Sequence, residues 1–441
     1  MPHVALISPP FLSHARPMAV LGSALRKAGA AVSFVCAAPF SFLAERCGLD
    51  FYALSTTENQ NTGVATATRQ SRHDRERLVE FLESTRHGAV PALRTQTLHR
   101  QADMLGQPHR ILSEVQRLHR SRKADWYVVD QLNYAVTLAM HCLGLTYASY
   151  IPGHPSYLIE EDDQYFGLPR EWPAGLAPTA EDLAELRALV QETDRQFTEL
   201  FNEVIAGAGK DVPPVPRAFS LASRRAKVFN YPPALAGKQD DSLSVYLGHC
   251  VEPAPLPVEW EERLAGTAGR TRVLVSLGTF FSARDDVLRS VISGVRMACS
   301  DAMVIVAAGE SVQHLIDLRG ESIVIESVVP QQELLPYMDL VVHHGGNNSF
   351  TECVYHRVPA LILPFASDQF VVAHDAVRAG VAECMSPNGA RPGEVADRVR
   401  SLLGAGRGGL DVLARQVRAR GPHWGAARLA ELMAPVSPAS P

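Results

Sequence analysis

Residues 340–369 read LVVHHGGNNSFTECVYHRVPALILPFASDQ. The opening four, 340–343, make a short buried-type run. Gly345 and Gly346 come next, a helix is predicted over 347–355, and a second apolar run occupies 360–363 before Pro364. Strand, glycine turn, helix, strand is a βαβ unit, which implies a parallel sheet with a right-handed crossover. Open parallel sheets gather ligands beyond the C-terminal ends of their strands. The His344-Gly345-Gly346-Asn347 turn and the Ser367-Asp368-Gln369 turn therefore face one crevice. Tandem glycines let backbone approach a ligand closely. The helix after them offers unpaired N–H groups and the positive end of its dipole, a natural seat for a phosphate.

The same rhythm extends in both directions. Downstream of a Pro-rich stretch carrying Pro253, Pro255 and Pro257, strands are predicted at 272–277, 303–307 and 323–329, with a helix at 287–298. Upstream, 4–7 reads as a strand, 17–28 as a helix with Met18, Leu21, Ala24 and Leu25 on one face, and 32–35 as the next strand. Residues 69–123 have helical periodicity, 126–129 and 146–151 read as strands, and 181–201 as an amphipathic helix. The expectation is an α/β chain of two facing Rossmann-like domains with parallel sheets and a cleft between them. Domain boundaries are expected at 1–250 and 271–410, with a stiff linker at 251–270. A last helical segment in 411–441 is expected to return to the first domain, ending in a polar tail at 435–441.

Composition narrows the function classes. The chain has 441 residues, 46% hydrophobic and 20% charged, with a formal net charge of -5. That balance gives no electrostatic footprint for nucleic acid or an anionic membrane surface. The seven cysteines form no C-x-x-C pair, the N-terminus has no secretory pattern, and no stretch reads as a membrane span. A cytoplasmic protein, monomeric or homodimeric, is the expectation. His73, His87, His99, His109 and His119 are irregularly spaced and read as solvated helix faces. No His/Asp/Glu/Cys cluster has metal-ligand spacing, and a P-loop is absent.

Polar residues at the crevice suggest a division of labour. His344 and Ser349 suit a diphosphate, and Glu352, one turn after Ser349, suits the two hydroxyls of a ribose. Asp368 and Gln369 together accept from and donate to vicinal sugar hydroxyls. Val329 and Gln331, on either side of Pro330, present backbone groups to a base edge. In the first domain, His14 comes after the first strand on the ligand side of the sheet. An imidazole there is placed for proton transfer near neutral pH, with capping of the next helix as the alternative reading. Asp130 closes the apolar run 126–129 and is the expected partner that orients it. Asp125 lies at the wrong end of that strand. His154 is a candidate for the lining of an acceptor cleft, whereas His343 is expected to point into packing.

The string 344–369 resembles the signature of nucleotide-sugar glycosyltransferases acting on small molecules, the plant secondary-product and bacterial antibiotic and macrolide enzymes. The matching positions are His344, Gly346, Asn348-Ser349, Glu352 and Asp368-Gln369, with no gap between His344 and Gln369. The resemblance implies a GT-B fold and inverting, metal-independent transfer of a hexose from a UDP- or TDP-sugar to a hydroxyl of a small acceptor, with no resident cofactor. It implies that His344, Asn348 and Ser349 hold the diphosphate, Glu352 the ribose, and Asp368 and Gln369 the sugar, glucose being preferred for its hydroxyls. Ser276, Gly278 and Thr279, in Val-Ser-Leu-Gly-Thr, resemble the second phosphate-side loop. His14 and Asp130 match the family's base and its carboxylate in order and context. Val328 stands where the family commonly carries a base-stacking Trp, which leaves uridine and thymidine both open. Other classes to weigh are a sugar-nucleotide epimerase of the same fold and a non-catalytic partner protein that binds nucleotide sugar.

Overall fold

The computed structural model describes residues 2–209, 211–237 and 241–434. Seven strands build the first sheet: β1 (His3–Ile7), β2 (Ala31–Cys36), β3 (Asp50–Ala53), β4 (Trp126–Asp130), β5 (Tyr147–Ile151), β6 (Lys227–Phe229) and β7 (Ser244–Tyr246). Six build the second: β8 (Arg272–Ser276), β9 (Met303–Ala307), β10 (Ile323–Glu326), β11 (Leu340–His343), β12 (Ala360–Ile362) and β13 (Ala382–Cys384). Their orders are β3-β2-β1-β4-β5-β6-β7 and β10-β9-β8-β11-β12-β13. Every pairing between these strands is parallel. The protein is thus a pair of Rossmann-like α/β domains.

The central strands form because Val4, Ala5, Leu6 and Ile7, or Val273, Leu274 and Val275, are apolar on both faces and are wholly buried under helices. In each sheet the strand order reverses at the first strand. Ile7 pairs with Val35 on one side and Val129 on the other, and Ser276 pairs with Ala307 and with His343. Those two reversals are the topological switch points where crevices open. The loops after β1 and β4 face those after β8 and β11.

Four details differ from the expectation. The first helix is Leu12–Lys27, with Pro17 inside it, so His14 lies in its first turn. Residues 251–270 contain the helix Val258–Ala265, and Leu256, Trp260 and Leu264 pack with Leu274, Met303 and Ile305, so that segment belongs largely to the second domain. Residues 408–433 form two helices rather than one. Gly408–Arg418 stays on the second domain through Leu410, Leu413 and Val417, and Pro422–Met433 crosses to the first through Ala426, Leu429 and Met433. Gly421, at φ 98°, makes the turn between them. Residues 435–441 lie outside the described residues. Finally, β3, β6, β7 and β13 have only three or four residues each.

The segment 69–123 is three helices, Arg72–Arg86, Ala89–Met104 and Pro108–Arg122. The first two lean across the cleft. Ala92 is buried in the second domain's core, with Phe81 and Leu82 packed against it, and the buried Arg284 donates to the Thr85 carbonyl. Among the described residues no helix is long and apolar enough to cross a membrane.

Candidate functional site

One cavity of about 540 Å³ lies between the domains, and both His14 and His344 line it. On the first-domain side, His14 Nδ1 is 2.9 Å from Asp130 Oδ2. The carboxylate is fully buried at the end of β4, and its other oxygen accepts from Leu132 N at 2.9 Å. An imidazole paired in this way carries its proton on Nδ1 and leaves Nε2 bare. The His14 side chain keeps 19% of its surface exposed. Asp125, at the opposite end of β4, bonds His3 N and takes no part.

Across the cavity, Gly346 precedes the helix Asn347–His356 without a side-chain cap, so the first-turn N–H groups lack that partner. His344 is wedged between Gly278 and Gly346, and a Cβ on either glycine would run into its ring. Gly278 also holds φ 75°, which glycine adopts freely. Burial pushes the His344 pKa down to about 4, so the ring is neutral and donates as a neutral tautomer. Its Nδ1 has no partner among the described residues. Ser276 lines the cavity beside it, and Thr279 accepts from Asn61 Nδ2 at 2.9 Å.

Deeper along that helix, Glu352 accepts from Gln331 Nε2 and Gln332 Nε2, both at 2.7 Å. Burial raises its pKa while these two amides pull it down. Gln331 also reaches Ser349 Oγ at 3.2 Å, so its side chain organises the Ser349–Glu352 face. Gln332 is in turn held by Arg16 of the first domain, at 3.2 Å. Val328 and Val329 both line the cavity, Val329 buried and Val328 with 67% of its surface exposed.

After β12, Gln369 Oε1 accepts from Phe365 N and Ala366 N at 2.9 and 3.2 Å, which shapes the turn, and its amide NH2 has no partner among the described residues. Ser367 sits at φ 59°, a costly position for a residue with a Cβ, and its N–H is tied to Gln96 at 3.1 Å. Asp368 Oδ2 accepts from His154 N at 2.8 Å across the cleft. Asn348 is also engaged across the cleft. Its Nδ2 donates to Ser13 O at 2.7 Å, and its Oδ1 accepts from Asn230 at 3.0 Å.

Three other histidines have defined places. His343 is wholly buried, accepts from Gly345 N at 3.0 Å, and is depressed to about 3 by burial. The His154 ring does not line the cavity. Its Nε2 meets Asp375 at 3.1 Å, its Nδ1 meets Ser156, and Tyr231 packs at its edge, so this residue bridges the domains. His99 faces the cavity and pairs with Glu80 at 3.0 Å, whereas His73, His87 and His109 are exposed on their helices. His119 is half-buried against Tyr127. Sequence reasoning missed Arg16, Gln332, Asn61 and Gln96. Each acts through a contact with a residue distant in sequence, and only the Gln331-Gln332 doublet offered a local signal. Among the described residues, no group of three or more His, Cys, Asp or Glu side chains is arranged to hold a metal ion.

Residues 295–419 match the family profile described as the C-terminal domain of erythromycin biosynthesis protein CIII-like proteins. The chain is 25% identical over 205 residues to the demethyllactenocin mycarosyltransferase of Streptomyces fradiae, an alignment spanning 46% of this chain and 44% of that one. The solved glycosyltransferase of kitacinnamycin superposes with a TM-score of 0.71 at 18% identity, covering 98% of this chain and 99% of the other. The chain has the GT-B fold, and its residues 295–419 are similar to the C-terminal domain of that macrolide-type family. Its likeness to VinC, a glycosyltransferase solved with dTDP, is also one of fold, with a TM-score of 0.65 at 18% identity over 98% of this chain and 99% of that one.

Proposed function

We propose that this GT-B glycosyltransferase moves a hexose from a UDP- or TDP-sugar onto a hydroxyl of a small natural-product acceptor, inverting the anomeric carbon. The observation that carries the reading is that His14, backed by the buried Asp130 at 2.9 Å, lines the same cavity as the Gly346 helix start. The acceptor oxygen attacks the anomeric carbon as His14 Nε2 takes its proton. The new glycosidic C–O bond forms as the sugar–diphosphate C–O bond breaks on the opposite face. Asp130 stabilises the imidazolium, a role comparable to the carboxylate of a hydrolase triad. The leaving diphosphate takes its negative charge to the helix start, where the N–H groups of Asn347, Asn348 and Ser349 and the neutral His344 receive it. Ser276, Gly278 and Thr279 line the other side of the diphosphate. Glu352, preset by Gln331 and Gln332, accepts from the ribose. Asp368 and Gln369 take the sugar hydroxyls, which makes glucose the first donor to try. The base lies beside Val329 and Val328.

No metal or resident cofactor enters this scheme. Support for a nucleotide donor comes from VinC, which was solved in complex with dTDP. The test is a donor-by-acceptor screen with uridine and thymidine diphosphate sugars, with the product's anomeric configuration read by NMR. His14→Ala is expected to abolish transfer while nucleotide diphosphate binding persists. Asp368→Ala is expected to weaken or redirect sugar choice. Conversion of the donor without any acceptor would replace transfer by epimerisation. Donor binding with no turnover across a broad acceptor panel would make the protein a binding partner instead.

A further inference from the structure

Proline has no N–H, so inside a helix it leaves the carbonyl four residues earlier without its usual donor. Pro17 lies inside Leu12–Lys27, and the carbonyl it orphans belongs to Ser13, the residue next to His14. That carbonyl is not left for solvent. Asn348 Nδ2, from the first turn of the helix Asn347–His356 in the other domain, donates to it at 2.7 Å. The amide cannot easily turn away, because its Oδ1 accepts from Asn230 Nδ2 at 3.0 Å. Asn230 is itself fully buried, and its carbonyl accepts from Asn347 Nδ2 at 2.5 Å. The same Asn347 amide reaches Pro152 O at 2.9 Å. Two adjacent asparagines at the start of one helix thus grip three first-domain backbones: those after β1, after β5 and after β6.

We infer that the Asn348 side chain is a positioning residue, which registers the His14 turn against the diphosphate-binding helix by taking the carbonyl that Pro17 frees. This rests on the proposed transfer only in its bearing on rate; the contact itself stands apart from that reading. The physical consequence is direct. The base and the leaving-group seat lie on different rigid domains, and in-line attack needs both held to a fraction of an ångström. The Asn348–Ser13 bond joins the backbone beside the base to the first turn of the diphosphate seat. A side chain spent in this way is not available to the diphosphate, which leaves the Asn348 backbone N–H for that purpose.

The test is a double-mutant cycle of Asn348→Ala and Pro17→Ala. Asn348→Ala is expected to lower kcat about 10- to 100-fold while the donor KM and the dissociation constant for nucleotide diphosphate stay near wild type. Pro17→Ala restores an N–H within the helix to Ser13 O. In that background the Asn348→Ala loss should shrink to a few-fold, a non-additivity expected only of a shared acceptor. A second measurement needs no substrate. Amide hydrogen exchange across residues 12–16 should quicken in Asn348→Ala and be restored in the double variant. Raised diphosphate dissociation constant with unchanged kcat would overturn the inference in favour of direct ligation, and additive losses or unchanged exchange would overturn it outright. An inactive wild-type protein whose exchange responds as described would sink the proposed function and leave the positioning contact supported.

Discussion

Replacing Asp130 by asparagine removes a charge while preserving shape, and the hydrogen bonds around the carboxylate determine the outcome. Both oxygens are committed, Oδ1 to Leu132 N and Oδ2 to His14 Nδ1, each at 2.9 Å. The amide oxygen of asparagine can keep the Leu132 bond, which turns its NH2 toward His14 Nδ1. A donor there requires a lone pair on Nδ1, so the ring proton moves to Nε2, the nitrogen that must be bare to accept the acceptor's proton. The imidazolium formed during transfer also loses its counter-charge. A positioned general base contributes about 10²- to 10⁴-fold, and the Asp130→Asn variant is expected to lose that much in kcat. This corresponds to about 3–5 kcal/mol of barrier at about 1.4 kcal/mol per tenfold. Donor KM should hardly move, because the hydrogen bonds of Asp130 stay within the first domain. Initial rates over a donor series, with chromatography of the product, measure both constants, and calorimetry with nucleotide diphosphate checks the seat independently. A folded variant whose kcat stays within about tenfold of wild type would refute the assignment of His14 as an Asp130-oriented base.

The same geometry predicts further outcomes. Gly346→Ala drives a methyl group into the His344 ring, so nucleotide diphosphate affinity should fall at least about tenfold with the fold retained; an unchanged dissociation constant would separate His344 from the diphosphate. Glu352, raised by burial, should take up its proton at a higher pH than an ordinary carboxyl; as pH falls through that raised value its ability to accept from ribose is lost, and nucleotide affinity should drop on acidification in wild type but stay flatter in Glu352→Gln. Burial depresses His249, which packs against Tyr355, to about 4, and His343 and His344 to about 3 and 4, whereas the unfolded chain protonates them near the ordinary value of about 6.5. The stability they confer is therefore complete above pH 6.5 and lost as pH falls toward those depressed values, at up to about 1.4 kcal/mol per pH unit for each. A thermal midpoint that did not fall between pH 7 and pH 5 would refute it.

The parts legible in the sequence are those set by local patterns. Residues 4–7 and 340–343 read as buried strands because buried parallel strands are apolar on both faces, and the glycine pair at 345–346 marks the turn after the second of them. The two-domain α/β architecture comes from that rhythm. The three-residue strands β6, β7 and β13 are too short for periodicity to register, and unlike the equally short β12 they have no apolar run such as 360–363 to mark them. Pro17 misleads for a physical reason. Proline is common at the first position of a helix, so a helix is expected to begin there. The earlier start at Leu12 leaves one carbonyl without an internal donor, and the donor that compensates belongs to residue 348. The same holds for Gln332 with Arg16, for Gln96 with Ser367 and for His154 with Asp375. These pairs join elements that only the assembled domains bring together, and no window along the chain contains both partners.

Those cross-domain pairs also bear on how the site must work. The Asp368 carboxylate, proposed for the sugar, accepts the His154 N–H, and Gly153 packs so tightly against Asp368 Oδ2 that a Cβ would collide with it. A carboxylate has about four acceptor positions, so a sugar hydroxyl can join this N–H at Asp368 without displacing it. The loop after β5 is then one wall of the proposed sugar pocket, and donor binding would add a partner to a contact already linking the domains. On the proposed reading, a donor that satisfies Asp368 and the Gln369 NH2 would strengthen the cross-domain contact between Asp368 and the His154 N–H. A deoxysugar leaves one of those groups unpaired and gains less from closure. Sugar selectivity in this architecture should therefore appear in kcat as much as in KM, because Asp368, proposed to read the sugar, also ties the two domains together.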